Sequence, residues 1–332
     1  MNKKGLVSIL TPCYNGGKFV HRLLDSVLSQ DYPHIEMIVV DDGSTDNTHS
    51  VVEGYIGKFE KHGYALKYVY QENAGQAAAI NKALNLVEGE YFIWPDADDY
   101  FCSNQTISKM VNSLAYLDSS YGYVRCWSKF VDDKDFHIVS INQNRVNSET
   151  LFHAFLDGSE SHAAAGTYMF RMAAYKSVNP TLTIFDKYRP QNCQLLLPMA
   201  YKYKCYNIKE PLHSILLRTG SHSRRTKDYA QQLATIDGYL EIHDHTLENM
   251  GLPKEELKEY KLCCLNKLLL QKLDVALSFG IKKDAYNFYS KLRSNGVVMT
   301  KGKKMKVGLL QISPLLLKLV MGWKKHFFLI LM

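Results

Sequence analysis

The first hundred residues alternate short β-branched apolar runs with stretches of helical apolar spacing, and this alternation most narrows what the chain can fold into. Residues 6–10 and 35–40 are such runs, and helical spacing over 19–29 lies between them. A run at 66–70, a helical stretch over 75–87 and a further run at 91–94 continue the pattern. Strands that alternate with helices predict an α/β fold: a Rossmann-like, mostly parallel sheet flanked by helices, with ligands at the carboxyl ends of the strands. Polar residues stand at those ends. Thr11-Pro12-Cys13-Tyr14-Asn15 follows the first run, Asp41-Asp42-Gly43-Ser44-Thr45-Asp46 the second, and Asp96-Ala97-Asp98-Asp99 the fourth. Three turns from separate strands are expected to converge on one crevice.

Their chemistry narrows the use of that crevice. Carboxylates packed as closely as Asp96, Asp98 and Asp99 repel one another unless a cation or hydrogen-bond donors offset the charge. Hard oxygen ligands suit Mg²⁺ or Mn²⁺, which bridge diphosphates; an acidic turn with helix-capping aspartates is the plainer alternative. Capping accounts for Ser44, Thr45 and Asp46, but not for Asp41 and Asp42, which are placed to hydrogen-bond a base or ribose. Thr11, Pro12 and Tyr14 form an ordinary turn or set a hydroxyl and an aromatic face beside that base. The stretch 72–82 joins a strand to an alanine-rich helix, where Gly75 opens the first amides towards an anion.

In order and spacing, the Thr-Pro-Cys-Tyr-Asn opening, Val39–Asp46, Asn73–Lys82 and Trp94–Asp99 together resemble the family 2 glycosyltransferases of bacterial cell-surface polysaccharide synthesis, which have the GT-A fold. The resemblance covers about residues 5 to 225. It implies that Thr11, Pro12, Tyr14, Asp41 and Asp42 hold the nucleotide base and ribose, with Gln76 and Asn81 near the ribose or diphosphate. Asp96 and Asp98 look like the metal and ribose carboxylates, and Asp99 like their supporting partner. Residues 166–171 resemble the acceptor-side strand, and Ile184-Phe185-Asp186 the turn after it. Arg218-Thr219-Gly220-Ser221-His222-Ser223 is similar to a loop that supplies a histidine to the metal, so Asp98 and His222 are the expected ligands of Mn²⁺ or Mg²⁺, with Arg218, Arg224 and Arg225 as charge partners of the diphosphate. Where inverting members place a Glu-Asp pair this chain has Gln191-Asn192, and neither amide accepts a proton at neutral pH. Asp186 and His162 are then the candidate bases, Asp186 first, with Gln191 and Asn192 orienting an acceptor.

Four segments are expected: 1–102 as the nucleotide-sugar half, 103–225 as the acceptor half, 226–300 as a helical accessory segment, and 301–332 as a basic, apolar tail. Between 301 and 325 the tail carries seven lysines and no acidic residue, which places much of the net charge of +7 at the end of the chain. Lysines interleaved with Leu, Ile, Phe and Trp323 suit an anionic membrane surface; a helix packed on the body with solvated lysines is the alternative. Nucleic acid fits poorly, because the basic residues are not interleaved with a stacking platform. Seven scattered cysteines show no zinc or disulfide pattern, and no signal-peptide core or long uninterrupted apolar stretch appears. A cytoplasmic protein, peripheral at the inner face of the membrane, is expected. The expected reaction is transfer of a sugar from a nucleotide donor, a UDP-hexose or UDP-N-acetylhexosamine, to a glycan or lipid-linked acceptor. A nucleotidyltransferase and a catalytically weak nucleotide-sugar binder are the competing readings.

Overall fold

The computed structural model describes residues 2–160, 164–188, 191–218, 228–314 and 317. Two compact units make up the chain: 1–225 with 245–252, and 226–244 with 253–332.

The first unit is built on nine strands among the described residues: β1 (Lys3–Cys13), β2 (Ile35–Asp42), β3 (Ala65–Gln71), β4 (Gly89–Ile93), β5 (Tyr100–Phe101), β6 (Tyr121–Asp132), β7 (Ile138–Asn142), β8 (Tyr168–Arg171) and β9 (Lys204–Leu217). They form one sheet in the order β3-β2-β1-β4-β8-β6-β9-β5, with β7 paired to β6. The β3-β2-β1-β4 half is parallel throughout. Antiparallel β8 joins it to β6, and β6 runs parallel to β9. Helices α1 (Val20–Leu28), α2 (Thr48–Lys61) and α3 (Gln76–Leu84) connect the parallel strands, as crossovers between parallel neighbours require. Further along lie α4 (Thr106–Ala115), α5 (Phe152–Asp157), α6 (Met172–Val178) and α7 (Asn192–Lys202).

Apolar periodicity sets the packing. In α1, Val20, Leu23, Leu24 and Val27 share one face and are fully buried in the same core as Val7, Ile9, Met37 and Val39 of the sheet. Each such side chain contributes about 1.5–3 kcal/mol of burial. Truncation of Leu24 to Ala would remove about 2–5 kcal/mol. One charged pair is taken inside: Arg125 of β6 and Glu160 are both fully buried, with Nη1 donating to Oε2 at 2.9 Å. The Val146 amide also donates to Glu160, at 3.1 Å.

The strands run further than the apolar runs alone predict. Thr11, Pro12 and Cys13, expected in the turn, are the last three residues of β1, in register with Val39, Val40 and Asp41. Proline is tolerated there because the pairing of β1 with β4 ends at Ile9, so its missing N–H interrupts no ladder on that side. Asp41 and Asp42 likewise close β2, opposite Tyr70 and Gln71 of β3. In the second half, β6 and β9 are long strands, and register shifts interrupt their mutual pairing.

The second unit is helical: most of α8 (Tyr229–Glu248), with α9 (Lys254–Phe279), α10 (Lys282–Ser294) and α11 (Lys301–Ile312). Gly280 ends α9 in the left-handed region, at φ 74°. Leu269, Leu273 and Leu277 of α9 pack with Ala285 and Leu292 of α10 and Val307 and Leu310 of α11. Tyr229 donates to Asp284 at 2.6 Å, and Lys303 pairs with Asp274 at 3.0 Å. Among the described residues no helix is long and apolar enough to cross a membrane.

Candidate functional site

At the carboxyl ends of β1, β2 and β4 the first unit opens into a cleft of about 280 Å³, lined by residues 12–16, Phe19, Asp42, Asn73, Gly75, Gln76, Asp96, Ala97, Asp98 and Arg218. Of the residues singled out from sequence, Pro12, Tyr14, Asp42, Gln76, Asp96, Asp98 and Arg218 meet here.

Each wall is held by hydrogen bonds that the sequence dictates locally. The Asp42 carboxylate accepts from Gln71 Nε2 and the Ala74 amide on Oδ1, both at 2.8 Å, and from the Gly75 amide on Oδ2 at 2.9 Å. It thereby folds the 73–75 loop and points that loop into α3. Gly75 adopts φ 96° and ψ 161°, a region open only to glycine, which allows the tight entry into the helix. Gly43 is also required: a Cβ there would lie 2.7 Å from the Asn73 amide nitrogen. On the opposite wall, Asn15 Oδ1 accepts from the Thr45 amide at 2.8 Å, and Asn15 N donates to Ser44 Oγ at 2.8 Å. Gly16 N donates to Thr48 Oγ1 at 2.9 Å and Gly17 N to Asp46 Oδ2 at 3.0 Å. Ser44 and Asp46 therefore secure the first loop, and Asp46 Oδ1 also accepts from the amide of Thr48, the first residue of α2, at 3.0 Å. Burial pushes the Asp46 carboxyl up, but hydrogen bonds from Thr48 and Gly17 outweigh it and the pKa falls below the usual range.

The floor is acidic. Asp96 Oδ1 accepts from Gln76 Nε2 at 2.7 Å. Desolvation first, then the charges of Asp99 and Asp98, push the Asp96 pKa up to about 8, against the pull of His213 and the Gln76 amide. Asp98 Oδ2 accepts from Arg218 Nε at 2.6 Å, and the guanidinium lies 4.5 Å from the centre of the Phe19 ring. Asp99 is buried and accepts from the Leu216 amide at 2.9 Å. Behind it His213 is wholly buried, with Nε2 3.5 Å from Asp99 Oδ2, and burial lowers its pKa to about 4.

Several expected residues take other positions. Asp41 is buried beneath the cleft, where it accepts from the Ser44 amide at 2.8 Å and from Tyr68 Oη at 2.6 Å. Thr11 is fully buried, and its Oγ1 has no partner among the described residues. Asn81, on the second turn of α3, is bonded through both amide atoms to Ile184, away from the lining of the cleft. Asp186 is exposed at the end of that turn. Gln191 is buried at the start of α7, and Asn192 Oδ1 accepts from Trp94 Nε1 at 2.9 Å, which ties α7 to the segment leading into Asp96. His162, His222, Arg224 and Arg225 lie outside the described residues. Sequence reasoning missed Asn15, Gly16, Phe19 and Ala97 as lining residues; Asn15, at φ 50°, sits in a left-handed position that asparagine tolerates, its only local signal. Elsewhere, Asp132, Asp135 and His137 offer oxygens and a ring nitrogen within 4.8 Å of one another on the β6–β7 turn, the one such group of three among the described residues. Asp135 and His137 are solvent-exposed there.

The chain has relatives in sequence and in fold. In sequence, the chain is 35% identical over 144 residues to the uncharacterized glycosyltransferase RT0329 of Rickettsia typhi, a match covering 43% of each chain. It is 44% identical over 99 residues to the putative teichuronic acid biosynthesis glycosyltransferase TuaG of Bacillus subtilis, covering 30% of this chain and 38% of TuaG. The matches thus span less than half the length of these relatives. In structure, S. aureus TarS 1-349 in complex with UDP-GlcNAc superposes with a TM-score of 0.60 at 19% identity, over 87% of this chain and 89% of that one. The mannosyltransferase PcManGT of Pyrobaculum calidifontis, solved with GDP-Man and Mn²⁺, gives 0.54 at 19%, over 97% and 88%. The model of the family described as Glycosyl transferase family 2 matches residues 8–178. That match takes in the β1–β4 sheet half, the Asp42 loop and the Asp96–Asp99 floor, and by it this GT-A-fold chain belongs to glycosyl transferase family 2, a family of transferases.

Proposed function

We propose that the chain transfers a hexosyl or N-acetylhexosaminyl group from a UDP donor to a hydroxyl of a lipid-linked or oligosaccharide acceptor in cell-surface polysaccharide synthesis, with inversion. The observation that carries this reading is the meeting of Asp96, Asp98 and Arg218 beneath the loop that Asp42 holds. TuaG, named for teichuronic acid biosynthesis, and TarS, solved with UDP-GlcNAc, support it by likeness.

In this reading the half-exposed ring of Tyr14 and Pro12 flank the base, and the 73–75 loop contacts the ribose. Asp42 acts through that loop, with Asp41 and Thr11 behind it. Gln76 orients Asp96, and Arg218 moves from Asp98 to a diphosphate oxygen as the donor enters. A divalent cation fits the floor: Asp96, Asp98 and Asp99 bring three carboxylates together there, and burial first, then the charges of Asp99 and Asp98, raises the Asp96 pKa. Asp98 would hold Mn²⁺ or Mg²⁺ together with His222, and the ion would neutralise charge on the departing nucleoside diphosphate. Of the two candidate bases, Asp186 and His162, we take Asp186 first as the acceptor of the proton; Asn192 offers only an amide, already bonded to Trp94.

UDP should raise the melting temperature more with Mn²⁺ than without it, and turnover of a UDP-sugar should release UDP rather than pyrophosphate. Pyrophosphate release would favour a nucleotidyltransferase instead. Binding of UDP with no release from any sugar donor would favour a weak relative.

We place the protein at an anionic membrane face through α11 and the residues after it. From Ala285 onward the sequence has no Asp or Glu. Val298, Met305 and Ile312 are 90%, 53% and 72% exposed among these lysines, a combination suited to an interfacial surface. Salt-sensitive co-sedimentation with phosphatidylglycerol vesicles, absent with phosphatidylcholine, is the expected result; equal binding to both would remove the assignment.

A further inference from the structure

The segment from Thr181 to Tyr188 belongs to no helix or strand, yet three consecutive residues of it are fastened by side-chain amides. Asn179 Nδ2 donates to the Thr183 carbonyl at 2.9 Å. Asn81 takes Ile184 at both ends: Oδ1 accepts from its amide at 2.7 Å and Nδ2 donates to its carbonyl at 2.8 Å. Gln194 does the same for Phe185, with Oε1 accepting from its amide at 2.8 Å and Nε2 donating to its carbonyl at 2.9 Å. A primary amide offers one acceptor beside one donor, the same pair that a neighbouring strand presents, so each carboxamide stands in for one residue of a strand. The next residue along the chain is Asp186.

The two double contacts come from helices that also organise the cleft. Asn81 lies on α3, whose entry is held by Asp42 through Gly75 and whose first residue, Gln76, holds Asp96. Gln194 lies on α7, whose first residue, Asn192, is tied to Trp94 two positions before Asp96. The backbone leading to Asp186 is thus referenced to the acidic floor from two directions. A loop fastened only for stability needs no such shared origin.

We propose that Asn81 and Gln194 are positioning residues: together they fix the path of Ile184 and Phe185, and so the placement of Asp186 for the acceptor step. This rests on the reading of Asp186 as proton acceptor given above. It assigns Asn81 a role through the backbone of Ile184 rather than through contact with the donor.

The test uses the full chain with UDP and UDP-GlcNAc as probes and water as the hydroxyl that takes the sugar. Asn81→Asp and Gln194→Glu keep side-chain size but replace the amide donor with an oxygen facing a carbonyl, so each breaks half of its double contact. Three quantities are measured: hydrogen exchange at the Ile184 and Phe185 amides, the Kd for UDP, and UDP release from UDP-GlcNAc per UDP-binding site, which removes any unfolded fraction from the rate. Both variants should speed exchange at the two amides and lower kcat by about tenfold or more, with the UDP Kd within about twofold of the parent. Asp186→Asn should lower kcat comparably without changing exchange. Faster exchange with kcat unmoved in Asn81→Asp and Gln194→Glu would overturn the positioning role, as would a UDP Kd that weakens in step with kcat. Full turnover in Asp186→Asn would overturn the proton-acceptor assignment on which it rests. Failure of the parent to bind UDP or release it from UDP-GlcNAc is a separate result and would count against the donor reading instead.

Discussion

Replacement of Asp42 by Asn isolates the device that shapes the cleft. The carboxylate receives three hydrogen bonds: Gln71 Nε2 and the Ala74 amide on one oxygen, the Gly75 amide on the other. An asparagine must present its NH₂ on one of those two sides. If it faces Gly75, two donors meet where atoms now stand 2.9 Å apart. If it is turned the other way, Gln71 can reverse its own amide and present an oxygen, but the Ala74 amide then meets a donor. Either way one backbone N–H loses a charge-assisted bond and the others weaken, a cost of about 2–3 kcal/mol. The loss falls on a loop that can open without unfolding the sheet, so the donor must reclose it on binding, and the apparent Kd rises as the closed fraction falls. By the usual conversion, UDP affinity should drop about 30- to 150-fold, while the melting temperature drops less than the same cost in the core would produce. Isothermal titration with UDP, run beside a thermal melt, reads both. A UDP Kd within about twofold of the parent would refute the argument that Asp42 acts by closing the 73–75 loop.

Three further outcomes are expected. Arg218→Ala removes the partner of Asp98 and the guanidinium beside Phe19; UDP binding should weaken about tenfold by titration, more than uridine binding, if the guanidinium meets the diphosphate as proposed. Glu160→Ala leaves the guanidinium of Arg125 buried without its carboxylate, and denaturant unfolding should show a loss of about 3–5 kcal/mol. His243 is held neutral: burial first, and then the Lys267 charge, lower its pKa to about 4 against the pull of the Tyr239 carbonyl. Its contribution is therefore complete above about pH 6.5 and lost as the pH falls through 4, at most about 3 kcal/mol in all. A pH series of melts should show that acid limb, and His243→Gln should reduce it while leaving the share that His213 contributes over the same range.

How far the sequence reached depends on where each residue's partners lie. The alternation of apolar runs gave the parallel half, because β1, β2 and β4 are largely buried and read as near-continuous apolar stretches, whereas the edge strand β3 is only part-buried and reads less plainly. Its ends were less legible: Thr11 to Cys13 and Asp41 to Asp42 are polar or turn-forming by type, and only pairing with the neighbouring strand makes them extended. The same distinction divides the site. Gly75 and the Asp96-Ala97-Asp98-Asp99 cluster stand out in one dimension, since one needs a backbone region and the others a counter-charge that their neighbours in sequence do not supply. Asn81 stands out only by resemblance, and Gln194 not at all. An asparagine and a glutamine inside helical stretches read as ordinary solvated positions until the 184–185 backbone is seen between them, 103 residues after the first and nine before the second. Resemblance placed Asn81 beside the donor, whereas its amide is spent on Ile184. A residue type can reveal that a charge needs an answer, but a side chain that completes another segment's backbone is defined by contact across the fold. Contacts of that kind, such as those that fasten the backbone of Ile184 and Phe185, therefore first become visible in three dimensions.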